Sequence, residues 1–114
     1  MEHHMGLYDK PFHSMKLGRK TVEVRLNDEK RRKLKIGDTI VFTRVPNNNE
    51  TLTAEILELR HYQTFKEMYE SIPAKEFDTE GDSIDEMVEQ TYDIYTFEQE
   101  QKWGTLAITV KMIK

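Results

Sequence analysis

The chain contains no cysteine, which excludes disulfides, thiolate nucleophiles and cysteine-based zinc sites. It has no apolar run approaching the roughly 20 residues that a bilayer-spanning helix needs. The opening Met1-Glu2-His3-His4-Met5 carries no apolar stretch of the kind found in a signal peptide. Internal repeats and low-complexity segments are also missing. Together these absences lead to the expectation of a cytoplasmic protein with no membrane partner. The four histidines have no spacing to each other or to aspartate that builds a tetrahedral metal site, so neither a metal nor a cofactor is expected. What remains is 114 residues, 37% hydrophobic and 33% charged, enough for one domain over residues 1–114 with a single core.

Net charge is −4, which disfavours strong non-specific nucleic-acid binding, but the average conceals an asymmetry. Residues 1–45 hold 11 Lys/Arg against 6 Asp/Glu, whereas residues 46–114 hold 6 against 15. The first portion can therefore supply a basic face able to meet a few phosphates. The alternative is that the charges mix once the chain folds.

The most informative stretch is Gly18-Arg19-Lys20-Thr21-Val22-Glu23-Val24-Arg25. Val22, Val24 and Leu26 alternate with Glu23 and Arg25, the period-2 pattern of a strand with one buried face. Its other face would hold a carboxylate beside a guanidinium, with Lys20 at the strand's start. Such a trio reads either as a polar constellation or as an ordinary solvated face.

The rest of the chain falls into recognisable elements. His3 to Leu7 reads as a strand, followed by a helix opening at Lys10-Pro11 with Asp9 or Lys10 near its cap and Gly18 past its end. Asp28 can cap one or two helical turns before Ile36-Gly37-Asp38. Thr39 to Val45 and Thr51 to Tyr62 form a hairpin around Pro46-Asn47-Asn48-Asn49-Glu50, and Ile56-Leu57 breaks the alternation as a bulge would. Thr64 with Glu67, Ser83 with Glu86 and Thr96 with Gln99 are capping-box signatures for three further helices. Ala74 to Asp82 has no periodicity and reads as a loop; Thr105 to Lys114 closes the chain as a strand. The fold class expected is α+β: a small, mostly antiparallel β-barrel with about three short helices over one side, leaving a cleft.

Gly18-x-Lys20-x-x-Glu23-x-Arg25 resembles the G-x-K-x-x-E-x-R signature of the ASCH domain at all four positions. Ile36-Gly37-Asp38, Leu59-Arg60-His61-Tyr62-x-x-Phe65, Asp93-Ile94-Tyr95 and Trp103-Gly104 extend the similarity over nearly the whole chain. ASCH domains are similar to PUA domains, so the resemblance implies a PUA-like barrel whose cleft accepts RNA or a modified nucleoside. Ligand-facing residues would be Gly18, Arg19, Lys20, Glu23, Arg25 and Tyr95, in a protein acting as a monomer. One small bacterial branch consists of amidohydrolases that deacetylate acetylcytidine with a Lys, a Thr and a Glu. Lys20 falls on the lysine and Glu80 on the glutamate, but Glu23 occupies the threonine position, and a carboxylate is a poorer nucleophile than a hydroxyl.

Three readings follow. Binding needs only Lys20 and Arg25 as donors to phosphate or base edges, with Tyr8, Tyr62, Tyr95 or Trp103 as stacking platforms or, alternatively, core residues. Amide hydrolysis would use Lys20 as base, Glu23 or Glu80 to position water, Arg25 on the oxyanion and Thr21 as a substitute hydroxyl; a ribonuclease is a further alternative. A protein-binding module would instead expose a large apolar patch in the acidic portion.

Overall fold

The computed structural model describes residues 1–113. Five strands and four helices run in the order β1 (Glu2–Tyr8), α1 (Asp9–Lys16), β2 (Val22–Leu26), β3 (Thr39–Val45), β4 (Thr51–Tyr62), α2 (Phe65–Ser71), α3 (Ile84–Tyr92), α4 (Phe97–Trp103) and β5 (Thr105–Ile113). The strands form one sheet in the order β1-β3-β4-β5-β2. β1 pairs with β3 in parallel; the other three pairings are antiparallel. The sheet curls into a half-barrel, so its two edge strands, β1 and β2, come to face each other. Lys114, at the end of the stretch read as the closing strand, lies outside the described residues.

Curvature has a local cause. The register between β4 and β5 shifts between Ile56 and Glu58, leaving Leu57 as an extra, exposed residue. A bulge of this kind increases twist and lets one long strand serve both ends of a curved sheet. The core accordingly divides in two. Met5, Phe12, Ile40, Phe42, Ile56, Leu106 and Ile108 fill the hollow of the half-barrel. Val22, Leu26, Phe65, Met68, Ile72 and Ala107 pack beneath α2 and α3 on the other face. Leu106 and Ile108 point one way and Ala107 the other, the strand alternation dictated by the pleat.

The helices end where their residue chemistry directs. Ser83–Glu86 and Thr96–Gln99 form complete capping boxes at α3 and α4, whereas at α2 only the Thr64 hydroxyl accepts from Glu67 N–H. α1 begins one residue earlier than the sequence suggests, with Tyr8 at the cap position and no side-chain cap. Gly18 then takes φ +77°, a conformation in which a Cβ is strained, and its N–H closes onto Met15 O at 3.1 Å. The stretch 74–82 is less featureless than its composition implies: a single 3-10 turn at Ala74–Phe77 buries Phe77.

The candidate functional site

Three elements deliver Lys20. Arg19 and Lys20 both donate their backbone N–H to Ser14 O, wrapping the chain round the end of α1. Thr21 N–H then bonds Glu76 O at 2.9 Å, and Thr21 O accepts from Val110, so the run enters β2 already fixed on both sides. β2 turns Val22 and Leu26 toward the helices, which sends Glu23 and Arg25 to the opposite face, into the seam of the half-barrel. The solvated-face reading of this strand is therefore corrected: the Glu23 residue is only 3% exposed, because the curled sheet covers both faces of its own edge strand.

Glu23 lies between two cations. Its Oε1 is 2.8 Å from Lys20 Nζ, and its Oε2 accepts from Arg25 Nε at 2.8 Å and lies 2.6 Å from Nη2. Burial pushes the Glu23 carboxyl up, but the charges and hydrogen bonds of Lys20 and Arg25 together outweigh it and hold the group below the usual carboxylate range. Arg25 also donates Nη2–H to Gly6 O at 2.7 Å. One guanidinium thus bridges from β2 to β1, the two ends of the sheet.

The trio opens on a cleft of about 250 Å³. Its walls include Leu7, Phe77, Met87, Tyr69, Thr91 and Tyr95. Tyr8 (64% exposed) and Ile94 (62% exposed) also line it. Among its lining residues Lys20, Glu23 and Arg25 are the only charged ones, so the cleft carries a net positive charge. Tyr95 stacks on Phe65 with ring centroids 5.7 Å apart, and burial raises its hydroxyl pKa against the opposing pull of the Arg25 charge. The charges of Arg31 and Asp28 also act on this hydroxyl, although neither residue lines the cleft.

Lys20, Glu23, Arg25 and Tyr95 therefore converge. Gly18 and Arg19 do not line this cleft: Gly18 turns the chain toward Lys20, and Arg19 is exposed. Glu80 is exposed and outside the lining set, although its neighbour Thr79 is within it. Thr21 is likewise outside the cleft. Among the aromatics, Tyr62 packs against the second core, and Trp103 does the same with Arg32 and Lys102 over its ring at 5.5 and 4.8 Å. His3 is bound to Asp38 at 2.8 Å, and no cluster of three or more His, Asp or Glu side chains suited to a metal occurs among the described residues. Among the described residues, no helix is long and apolar enough to cross a membrane.

Sequence reasoning overlooked the far wall. Tyr69, Met87 and Thr91 have the helical spacing of core residues, and in part that is what they are; Met87 and Thr91 are buried in α3. Tyr69 Oη is 2.6 Å from Thr91 Oγ1, and burial raises the Tyr69 hydroxyl pKa to about 12. A buried threonine on an apolar helix face was the one available signal that a polar partner lay opposite.

The architecture and sequence have known counterparts. The family described as ASCH domain matches residues 5–114. The hypothetical protein PH0355, known from a crystal structure, is 35% identical with a TM-score of 0.88, covering 99% of this chain and 100% of its own. Protein PF0455 from Pyrococcus furiosus, solved by NMR, is 33% identical with a TM-score of 0.78, covering 100% of this chain and 99% of its own. No curated protein matches the chain.

Proposed function

Because the chain belongs to the ASCH domain family, we propose that it binds single-stranded RNA or a modified nucleoside, with one base entering the cleft beside Lys20, Glu23 and Arg25. The observation that carries this reading is the trio itself: two cations fixed by one buried carboxylate at the mouth of an otherwise uncharged, partly aromatic cleft. Cations held in place lose little freedom when a ligand arrives, and apolar walls reward a planar ring. Arg31, beside Tyr95, continues the positive charge outward, and Arg32, Lys30 and Lys33 follow it along an exposed or half-exposed turn. That line suits a few phosphates flanking an inserted base.

Binding is favoured over acyl hydrolysis by two placements. Lys20 is engaged as a cation with Glu23 at 2.8 Å, which suits donation to a ligand better than proton abstraction, and Glu80 stands exposed outside the cleft lining. Cleavage of RNA lacks a base of its own in the same arrangement.

The test is a fluorescence-anisotropy titration of short single-stranded RNA across a salt series, with Lys20→Ala for comparison. Wild-type affinity is expected to fall moderately with salt, and the variant to bind about tenfold more weakly. Equal binding by the two proteins contradicts the reading. Incubation with acetylcytidine runs in parallel; turnover by wild type that disappears in Lys20→Ala would replace binding with amide hydrolysis as the function.

A further inference from the structure

The hydroxyls on the far wall of the cleft have a fixed polarity. Thr91 Oγ1 lies 2.8 Å from Met87 O and 2.6 Å from Tyr69 Oη. A carbonyl oxygen can only accept, and a threonine hydroxyl has one hydrogen, so that hydrogen belongs to Met87 O. Tyr69 must then donate to Thr91. Its own hydrogen is committed, so Tyr69 Oη keeps acceptor capacity alone, on a residue that lines the cleft. The high Tyr69 pKa, about 12, keeps the phenol protonated and the relay intact at neutral pH.

The opposite wall has the reverse character. Lys20 Nζ has one bond to Glu23 and two further hydrogens, and Arg25 Nη1 has no partner among the described residues. The cleft thus offers donors on one side and a committed acceptor on the other.

Building on the base-insertion reading above, we propose that Tyr69 is a specificity residue: the cleft selects a base edge in which an N–H, received by Tyr69 Oη, accompanies carbonyl oxygens received by Lys20 and Arg25. A uracil-type edge, with a ring N–H between two carbonyls, has this pattern. The adenine base has no carbonyl to offer.

Calorimetric titration with uridine, 3-methyluridine and adenosine tests the assignment, because methylation at N3 removes the hydrogen and leaves both carbonyls. A site built around a hydrogen bond discriminates strongly against a ligand lacking it. Wild type is expected to bind uridine about tenfold more tightly than 3-methyluridine or adenosine, the worth of one buried hydrogen bond. Tyr69→Phe keeps the ring against Phe77 and removes the acceptor, and should bind uridine and 3-methyluridine equally. Thr91→Val frees the Tyr69 hydrogen to turn into the cleft, and should lose the same preference. Nucleoside binding without a preference in wild type overturns the Tyr69 assignment alone, as does a preference that survives in Tyr69→Phe, which would reveal a steric effect of the methyl group. No binding of any nucleoside overturns both this assignment and the base-insertion reading.

Discussion

Glu23 is where the sequence pattern and the folded chemistry meet. A carboxylate this deeply buried is tolerable only because two cations share its charge, and the cations in turn depend on it. Glu23→Gln keeps the shape but leaves Lys20 and Arg25 without a counter-charge, and is expected to cost about 3 kcal/mol in urea unfolding. The acid response follows from the direction of the shift. The folded Glu23 carboxyl titrates below its ordinary 4.5, so its stabilisation is complete above that pH and is lost as the pH falls through the lower, folded value. Wild type should lose stability below about pH 4.5 more steeply than Glu23→Gln; parallel curves would mean that the ion pairs contribute nothing. The spacing of Lys20, Glu23 and Arg25 was visible in the sequence because it is local. Their burial was not, since it arises from a sheet curling until its own edge strand is covered, a property of residues distant along the chain.

At the scale of elements, the helical layer is held by a second acidic residue that pattern analysis passed over. Glu100 is 1% exposed; its Oε2 accepts from Phe65 N–H at 2.7 Å, and its Oε1 from Tyr92 Oη at 2.5 Å. One side chain on α4 thereby caps the first residue of α2 and ties down the end of α3. The bond to Glu100, followed by burial, raises the Tyr92 hydroxyl pKa to about 12. Glu100→Ala should cost about 2–3 kcal/mol by leaving the buried Phe65 N–H without a partner, and lower the melting temperature by roughly 10 °C. A change of under about 2 °C would show that water replaces the carboxylate freely. Among Glu98, Gln99 and Gln101, Glu100 reads as one more solvated position. The capping boxes, the hairpin and the Leu57 bulge were legible because each is written in residues only a few positions apart. Which face α4 buries is decided by α2 and α3, which lie at least five residues away in sequence. The four helices themselves are legible one by one from their local signals, but how α2, α3 and α4 share one face is not.

For the molecule as a whole, the seam between β1 and β2 joins stability to the proposed site. The chain's two sheet edges meet there, and Arg25 spans them with Glu23 on one side and Gly6 O on the other. Edge strands facing each other would otherwise expose unpaired backbone groups. The polar trio covers this gap and at the same time supplies the cleft's charge, so a ligand at the seam would couple binding to the closure of the barrel. The charge asymmetry read from the sequence is consistent with this placement: the seam and the adjoining 28–33 turn both come from the basic first portion, while α2, α3 and α4 come from the acidic remainder. If RNA binds at the seam as proposed, it would meet attraction on one side and repulsion on the other, favouring a single orientation.

The most direct measurement is backbone amide chemical-shift mapping by NMR during titration with a short, uridine-containing single-stranded RNA. The largest changes are predicted at Lys20, Glu23, Arg25, Tyr69 and Tyr95, with smaller ones along residues 28–33. Changes confined to the outer surface of the helices or to the exposed Leu57 bulge, with the seam silent, would contradict the account.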